Sequence, residues 1–212
     1  MMFAQALGLL MLFAAYAVQA KYPAGETQTP TYRYEEDPEH SEEQKVEELA
    51  EVGDTWFVKK RNLPPTGFTC HSATKVLEGE GDYTYLFNVR NGSSGEHYIK
   101  WNVTMTPVTT RDHTKPNAVR YYYLPRKMYP TQTQQTSKLM TYDSKEGCAV
   151  FVTVVVIPQI GLHRACMAVQ TRSSVQRNIS ARCNNVYSTY CPYNPALGED
   201  TPWDDTCKVP QQ

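Results

Sequence analysis

Six cysteines, Cys70, Cys148, Cys166, Cys183, Cys191 and Cys207, are the residues whose type and number most constrain the chemistry open to this chain. No Cys-x-x-Cys or His-x-x-x-His pair supplies zinc-ligand spacing, so the set reads as three disulfides and not as a metal site. Six cysteines admit fifteen pairings, and spacing alone does not choose among them. An even number also leaves no thiol over as a nucleophile. The chain carries no Gly-x-Ser-x-Gly, His-Glu-x-x-His or phosphate-loop motif. Its five histidines, His40, His71, His97, His113 and His163, are spread over arm, strands and loops and are expected to face solvent. No catalytic residue, metal or cofactor is therefore expected. Three sequons, Asn91-Gly92-Ser93, Asn102-Val103-Thr104 and Asn178-Ile179-Ser180, mark Asn91, Asn102 and Asn178 as glycan acceptors.

Disulfides and glycans belong outside the cell, and the start of the chain agrees. Ala6 to Ala17 is uncharged and apolar, and Val18-Gln19-Ala20 suits signal peptidase, so residues 1–20 read as a signal peptide too short to span a membrane. Nothing later is long and apolar enough to anchor the chain. A secreted, extracellular monomer with no membrane partner is expected. The formal net charge of −1 hides a split: residues 21–54 hold eleven Asp/Glu against Lys21, Arg33 and Lys45, a net −8, which leaves +7 on the remainder. Those basic residues are scattered and no nucleic-acid motif accompanies them, so nucleic acid is not an expected partner.

The elements that must position these residues follow from hydrophobic periodicity. Residues 21–40, rich in Pro, Thr, Tyr and Glu, read as a mobile acidic arm ahead of a folded domain over 41–212. Ser41 before Glu42-Glu43-Gln44, with Val46, Leu49 and Val52 as a stripe, predicts a short helix from about Ser41 to Glu51. Eight strands follow: 53–58, 68–77, 82–90, 96–105, 119–123, 139–142, 148–157 and 164–172. Most show alternating apolar residues between turn signals such as Asn91-Gly92. Ten residues between Gly147 and Pro158 are apolar on both faces, with Val150, Val152, Val154 and Val156 opposing Ala149, Phe151, Thr153 and Val155. Such a strand needs a covering element on one side and an interior on the other. Ile179, Cys183, Val186 or Tyr187, and Tyr190 then recur at helical spacing behind Asn178 or Ser180, predicting one C-terminal helix before an extended tail.

Eight sequential antiparallel strands favour an up-and-down β-barrel, which hides its edges by closing and can hold one small ligand. By parity Trp56, Tyr85, Phe87, Ile99, Trp101, Val103, Tyr121, Tyr123, Phe151, Val155, Met167 and Val169 face inward. Of these, Trp56, Tyr85, Phe87, Trp101, Tyr121, Phe151 and Met167 are the candidate ligand contacts. The alternative is that the same side chains fill a closed barrel core.

Several stretches carry a family resemblance: Gly67-Phe68-Thr69-Cys70, Tyr83 to Asn91 with its Arg-Asn-Gly turn, Tyr142-Asp143 before Cys148, and the order Cys166, Cys183, Cys191, Cys207. Over nearly all of residues 21–212 the chain resembles a tick salivary lipocalin of the histamine-binding-protein family. The resemblance implies the pairs Cys70–Cys207, Cys148–Cys183 and Cys166–Cys191. It also implies a secreted, non-catalytic protein that sequesters host mediators, either a biogenic amine such as histamine or an eicosanoid or other lipid. Some members bind a host immune protein instead, which keeps open a protein-interaction module acting through its outer surface.

An ammonium taken into a closed barrel needs carboxylates or aromatic faces as partners. Amine-binding members carry inward acids at positions that match Ala149, Met167 and Trp101 here. All three acids are replaced, and Tyr121 is the matching polar position that survives. The lining therefore suits a largely apolar ligand oriented by tyrosine hydroxyls.

Overall fold

The computed structural model describes residues 32–92, 97–125 and 127–207; the expected leader over 1–20, the first part of the arm and the end of the tail lie outside the described residues. The strands are β1 Trp56–Arg61, β2 Phe68–Glu78, β3 Tyr83–Asn91, β4 Tyr98–Val108, β5 Ala118–Tyr121, β6 Gln135–Asp143, β7 Cys148–Ile157 and β8 Gly161–Thr171. Each pairs antiparallel with its successor and β8 returns to β1, so the barrel expected from the sequence closes.

Strand β7 shows why both of its faces are apolar. Ala149, Phe151 and Thr153 stand opposite Val169, Met167 and Ala165 of β8 and point into the barrel. Cys148, Val150 and Val152 point outward, beneath helix α2, Ala181–Tyr190, whose Cys183, Val186 and Tyr187 complete a buried cluster with them. Beyond the reach of α2 the same outward face is bare: Val154 is 53% and Val156 75% exposed. The helix begins where the Ser180 hydroxyl accepts from the Cys183 N–H. Asp143 holds that cap by accepting from the Ser180 hydroxyl at 3.1 Å, and it also accepts from the Glu146 N–H in the β6–β7 turn. The disulfides Cys148–Cys183 and Cys166–Cys191 fasten α2 to β7 and β8, and Cys70–Cys207 ties the tail to β2, the pairing implied by the resemblance.

The N-terminal side departs from expectation. A continuous helix from Ser41 does not form: Pro38–Glu43 is a 3-10 turn capped by Asp37, and α1 is only Val46–Ala50. Lys45 is extended between them, and the Val46 N–H is taken by the Pro116 carbonyl. The expected stripe survives, since Val46 and Leu49 are buried over Trp56, Leu139, Ala149 and Val169. The described part of the acidic arm is not a free arm. Tyr34–Glu36 forms a 3-10 turn whose Glu35 and Glu36 are buried. Glu35 accepts from both Arg164 terminal nitrogens at 2.5 and 3.0 Å, and Glu36 pairs with Lys138 and accepts from the Thr110 hydroxyl. Acidic charge assigned to a mobile arm is held in place because outward Arg164 and Lys138 on the barrel wall receive it.

Two histidines also differ from the expectation of solvent exposure. His113 is buried against Gln44 Oε1 at 2.7 Å, and His163 against the Asn62 carbonyl at 3.0 Å. Each ring has a hydrogen-bond partner, which is what permits burial.

The tail has a structural role that its composition did not announce. Strands β1 and β2 pair at only two positions, Trp56↔Ala73 and Phe57↔Ser72, and then splay. Residues 200–202 fill the gap. Arg61 and Asp200 exchange both backbone hydrogen bonds at 2.9 Å, and the Cys70 N–H donates to the Pro202 carbonyl. Arg90 reaches the tail as well, at Asp204 and Thr206.

Candidate ligand site

The barrel interior divides into three tiers. The floor lies where β1 begins and α1 caps the barrel. Trp56, Leu139, Ala149 and Val169 meet Val46 and Leu49 there, with Ala149 0% exposed. Trp56 contacts Tyr142 edge-on at 6.1 Å, and its indole N–H has no partner among the described residues.

The middle tier is a hydroxyl ladder across β5, β6 and β7. Tyr121 and Ser137 share a hydrogen bond at 2.8 Å, and Ser137 bonds on to Thr153. All three are buried. Burial raises the Tyr121 hydroxyl above its ordinary pKa, so it stays protonated at physiological pH. Tyr85, opposite Val103, is pushed up by burial to about 12. Phe151 and Met167 face each other across β7 and β8 between the ladder and the floor.

The mouth lies at the other end, where β1 leaves the barrel and β2 enters. Phe87, Trp101 and Tyr123 form a triangle of edge-on contacts with centroids 5.9, 5.8 and 5.6 Å apart, and the Trp101 indole donates to the Tyr123 carbonyl at 2.6 Å. Beside them stands a charged group. Arg61 shares the inward face of β1 and β8 with Met167, and its Nε and Nη2 both donate to Asp200 Oδ2, at 2.8 and 2.6 Å. His71 lies near this pair. Its ring bonds the Phe68 carbonyl, and burial and then Arg61 lower its pKa to about 4, so the ring is neutral at pH 7.

Of the seven residues singled out from sequence, Trp56, Tyr85 and Tyr121 are buried, while Phe87, Trp101, Phe151 and Met167 keep accessible surface. An inward side chain on a closed barrel stays accessible only where interior or mouth space adjoins it. The structure thus brings Phe87 and Trp101 together at the mouth, joins Phe151 to Met167 lower down, and leaves Trp56 in the floor. Neither Arg61 nor Asp200 was among the sequence candidates. A shift in register between Val58 and Lys60 turns Arg61 inward against simple alternation, and Asp200 is 139 residues away with no local signal. At the three positions matched to acids of amine binders, Ala149 is sealed in the floor and Met167 and Trp101 are inward and uncharged.

Among the described residues no helix is long and apolar enough to cross a membrane. The family model described as "Tick histamine binding protein" matches residues 34–209. No curated protein matches the sequence significantly. Among solved structures, Japanin from Rhipicephalus appendiculatus bound to cholesterol is similar at TM-score 0.50 and 14% identity, covering 74% of this chain and 97% of Japanin. Insecticyanin from the tobacco hornworm Manduca sexta is similar at TM-score 0.51 and 11% identity, covering 74% of this chain and 81% of that one.

Proposed function

The chain belongs to the tick histamine-binding protein family and is a ligand-binding lipocalin, and from that premise we propose that it is secreted and sequesters a host inflammatory mediator inside its barrel. At family level the ligand is histamine or another biogenic amine. In this chain an apolar ligand, an eicosanoid or other lipid, suits the lining better. The observation that carries this reading is the floor. Ala149 is sealed among Trp56, Leu139 and Val169, so the depth of the barrel offers apolar contact and hydroxyls in place of a carboxylate. An ammonium moved there would lose hydration worth several kcal/mol without a partner charge. An apolar ligand gains roughly 25 cal/mol for each Å² removed from water. The cholesterol bound to Japanin is in keeping with such a ligand.

Trp56, Tyr85, Phe87, Trp101, Tyr121, Phe151 and Met167 are the proposed ligand contacts. Scavenging has no turnover, so affinity does the work, and nanomolar binding corresponds to about −12 kcal/mol. Mass spectrometry of organic extracts from the purified secreted protein tests the reading. A stoichiometric apolar molecule is expected, and a stoichiometric amine in its place would overturn it. Three disulfides, and exposed side chains at Asn91, Asn102 and Asn178, support secretion with glycans at those positions. Loss of mass after enzymatic deglycosylation checks them.

A second reading is favoured by the outer wall of β7 and β8. Val154, Val156 and Leu162 are 53%, 75% and 77% exposed, a bare apolar strip suited to a host immune protein. Under that reading Val156→Asp would abolish partner capture and leave small-molecule uptake unchanged.

A further inference from the structure

We propose that the Arg61–Asp200 pair at the barrel mouth selects the ligand by head-group charge, admitting an apolar molecule with an uncharged head that both donates and accepts, such as an alcohol, and rejecting both carboxylates and ammonium ions. The inference rests on reading the barrel as a lipid site and names the class of lipid.

The pair is placed to do this. Arg61 and Asp200 side chains are 10% and 13% exposed, so they meet the mouth while held away from bulk water. Burial raises the Tyr123 hydroxyl pKa and Arg61 works against that rise, while Arg61 itself stands opposite Met167 on the inward face of the barrel. Both short contacts from Arg61 fall on the same Asp200 oxygen, Oδ2, and Nη2 also donates to the Thr66 hydroxyl. Arg61 Nη1 and Asp200 Oδ1 have no partner among the described residues. The mouth thus presents one donor and one acceptor on a pair with no net charge. Neutral His71 beside them adds no charge of its own.

A head group that enters this setting must trade water for those two atoms. A hydroxyl can accept from Nη1 or donate to Oδ1, so it finds a partner at either atom without bringing a charge. A carboxylate is attracted to Arg61 and repelled by Asp200, and an ammonium meets the reverse. Either gains little from a neutral pair and still loses its hydration. The floor does not change this ranking, because it is apolar for all three.

Three probes that share one sixteen-carbon tail isolate the effect: 1-hexadecanol, palmitate and hexadecylammonium. Displacement of an environment-sensitive fluorescent probe from the full chain gives their affinities at pH 7. The alcohol is expected to bind at least about tenfold more tightly than either charged probe. Asp200→Asn leaves Arg61 unopposed and shifts preference toward palmitate. Arg61→Gln leaves Asp200 unopposed and shifts it toward hexadecylammonium. Opposite shifts in two variants cannot come from a common loss of folding. Asp200→Asn with Arg61→Gln removes both charges and returns the alcohol to first place. Equal affinity for all three probes in the parent, or parallel changes in both single variants, would overturn the charge filter and leave the lipid reading standing. Failure of all three to bind the parent would remove the lipid reading and the filter with it.

Discussion

Placing an acid at Ala149, the position that the resemblance matches to an acid of amine binders, should damage this protein without making it an amine binder. Ala149 is 0% exposed and packs with Trp56, Leu139 and Val169, while Tyr142 stands opposite it on β6. In Ala149→Asp the new carboxyl would have no cation within that cluster, so burial would raise its pKa. A rise of about 3 units from the ordinary value near 3.9 is in keeping with such sites, and each unit corresponds to about 1.4 kcal/mol. The ionised form would therefore be disfavoured in the fold by about 4 kcal/mol at pH 7, in addition to about 1–3 kcal/mol for overpacking. Because the folded state then holds its proton to higher pH than the unfolded state, the ionisation penalty vanishes below about pH 4 and grows as pH rises to 7. Urea unfolding of parent and variant at pH 4.5 and pH 7 reads the difference, and calorimetry with histamine reads the gain of function. A variant within about 1 kcal/mol of the parent at pH 7 that also binds histamine would refute the sealed, apolar floor.

Other consequences follow from named contacts. The folded chain holds His71 neutral to about pH 4 while the unfolded chain protonates it near 6.5, so acid stabilises the unfolded state. Stability should fall by up to about 3 kcal/mol between pH 6.5 and 4, and His71→Gln should flatten that slope in pH-dependent unfolding. Glu35→Gln leaves Arg164 without its buried carboxylate and should cost about 3 kcal/mol by thermal unfolding, with Glu35→Leu plus Arg164→Met recovering most of it. Replacing Cys70 and Cys207 by serine opens a loop of sequence separation 137, should cost about 2–4 kcal/mol, and should speed hydrogen exchange over residues 200–207 before the barrel strands.

The parts of this fold that were legible in the sequence are those in which side-chain period and environment agree. Strand β7 is an example: its alternating valines named two apolar faces, and the structure supplies α2 for one and the interior for the other. Strand β6 was seen only over Leu139 to Tyr142 because its first residues, Gln135 to Lys138, are polar. Ser137 nevertheless points inward, where Tyr121 and Thr153 satisfy it, so no hydrophobic signal marks the strand. Acidic residues before α1 gave the opposite error. Glu35 and Glu36 read as part of a mobile arm because their partners, Arg164 and Lys138, lie more than a hundred residues away. The mouth was invisible for the same reason: a strand irregularity turns Arg61 inward, and a distant tail brings Asp200 to it. Local pattern reports periodicity and caps; pairing across the chain is fixed only when the barrel closes.

The most direct measurement of what the barrel holds is calorimetric titration of the purified protein, side by side, with histamine, serotonin, a leukotriene and cholesterol. One-to-one uptake of an apolar ligand is expected, with the negative heat-capacity change of apolar burial and only weak heats from the amines. Stoichiometric, tight histamine binding with no uptake of either lipid would contradict the apolar barrel.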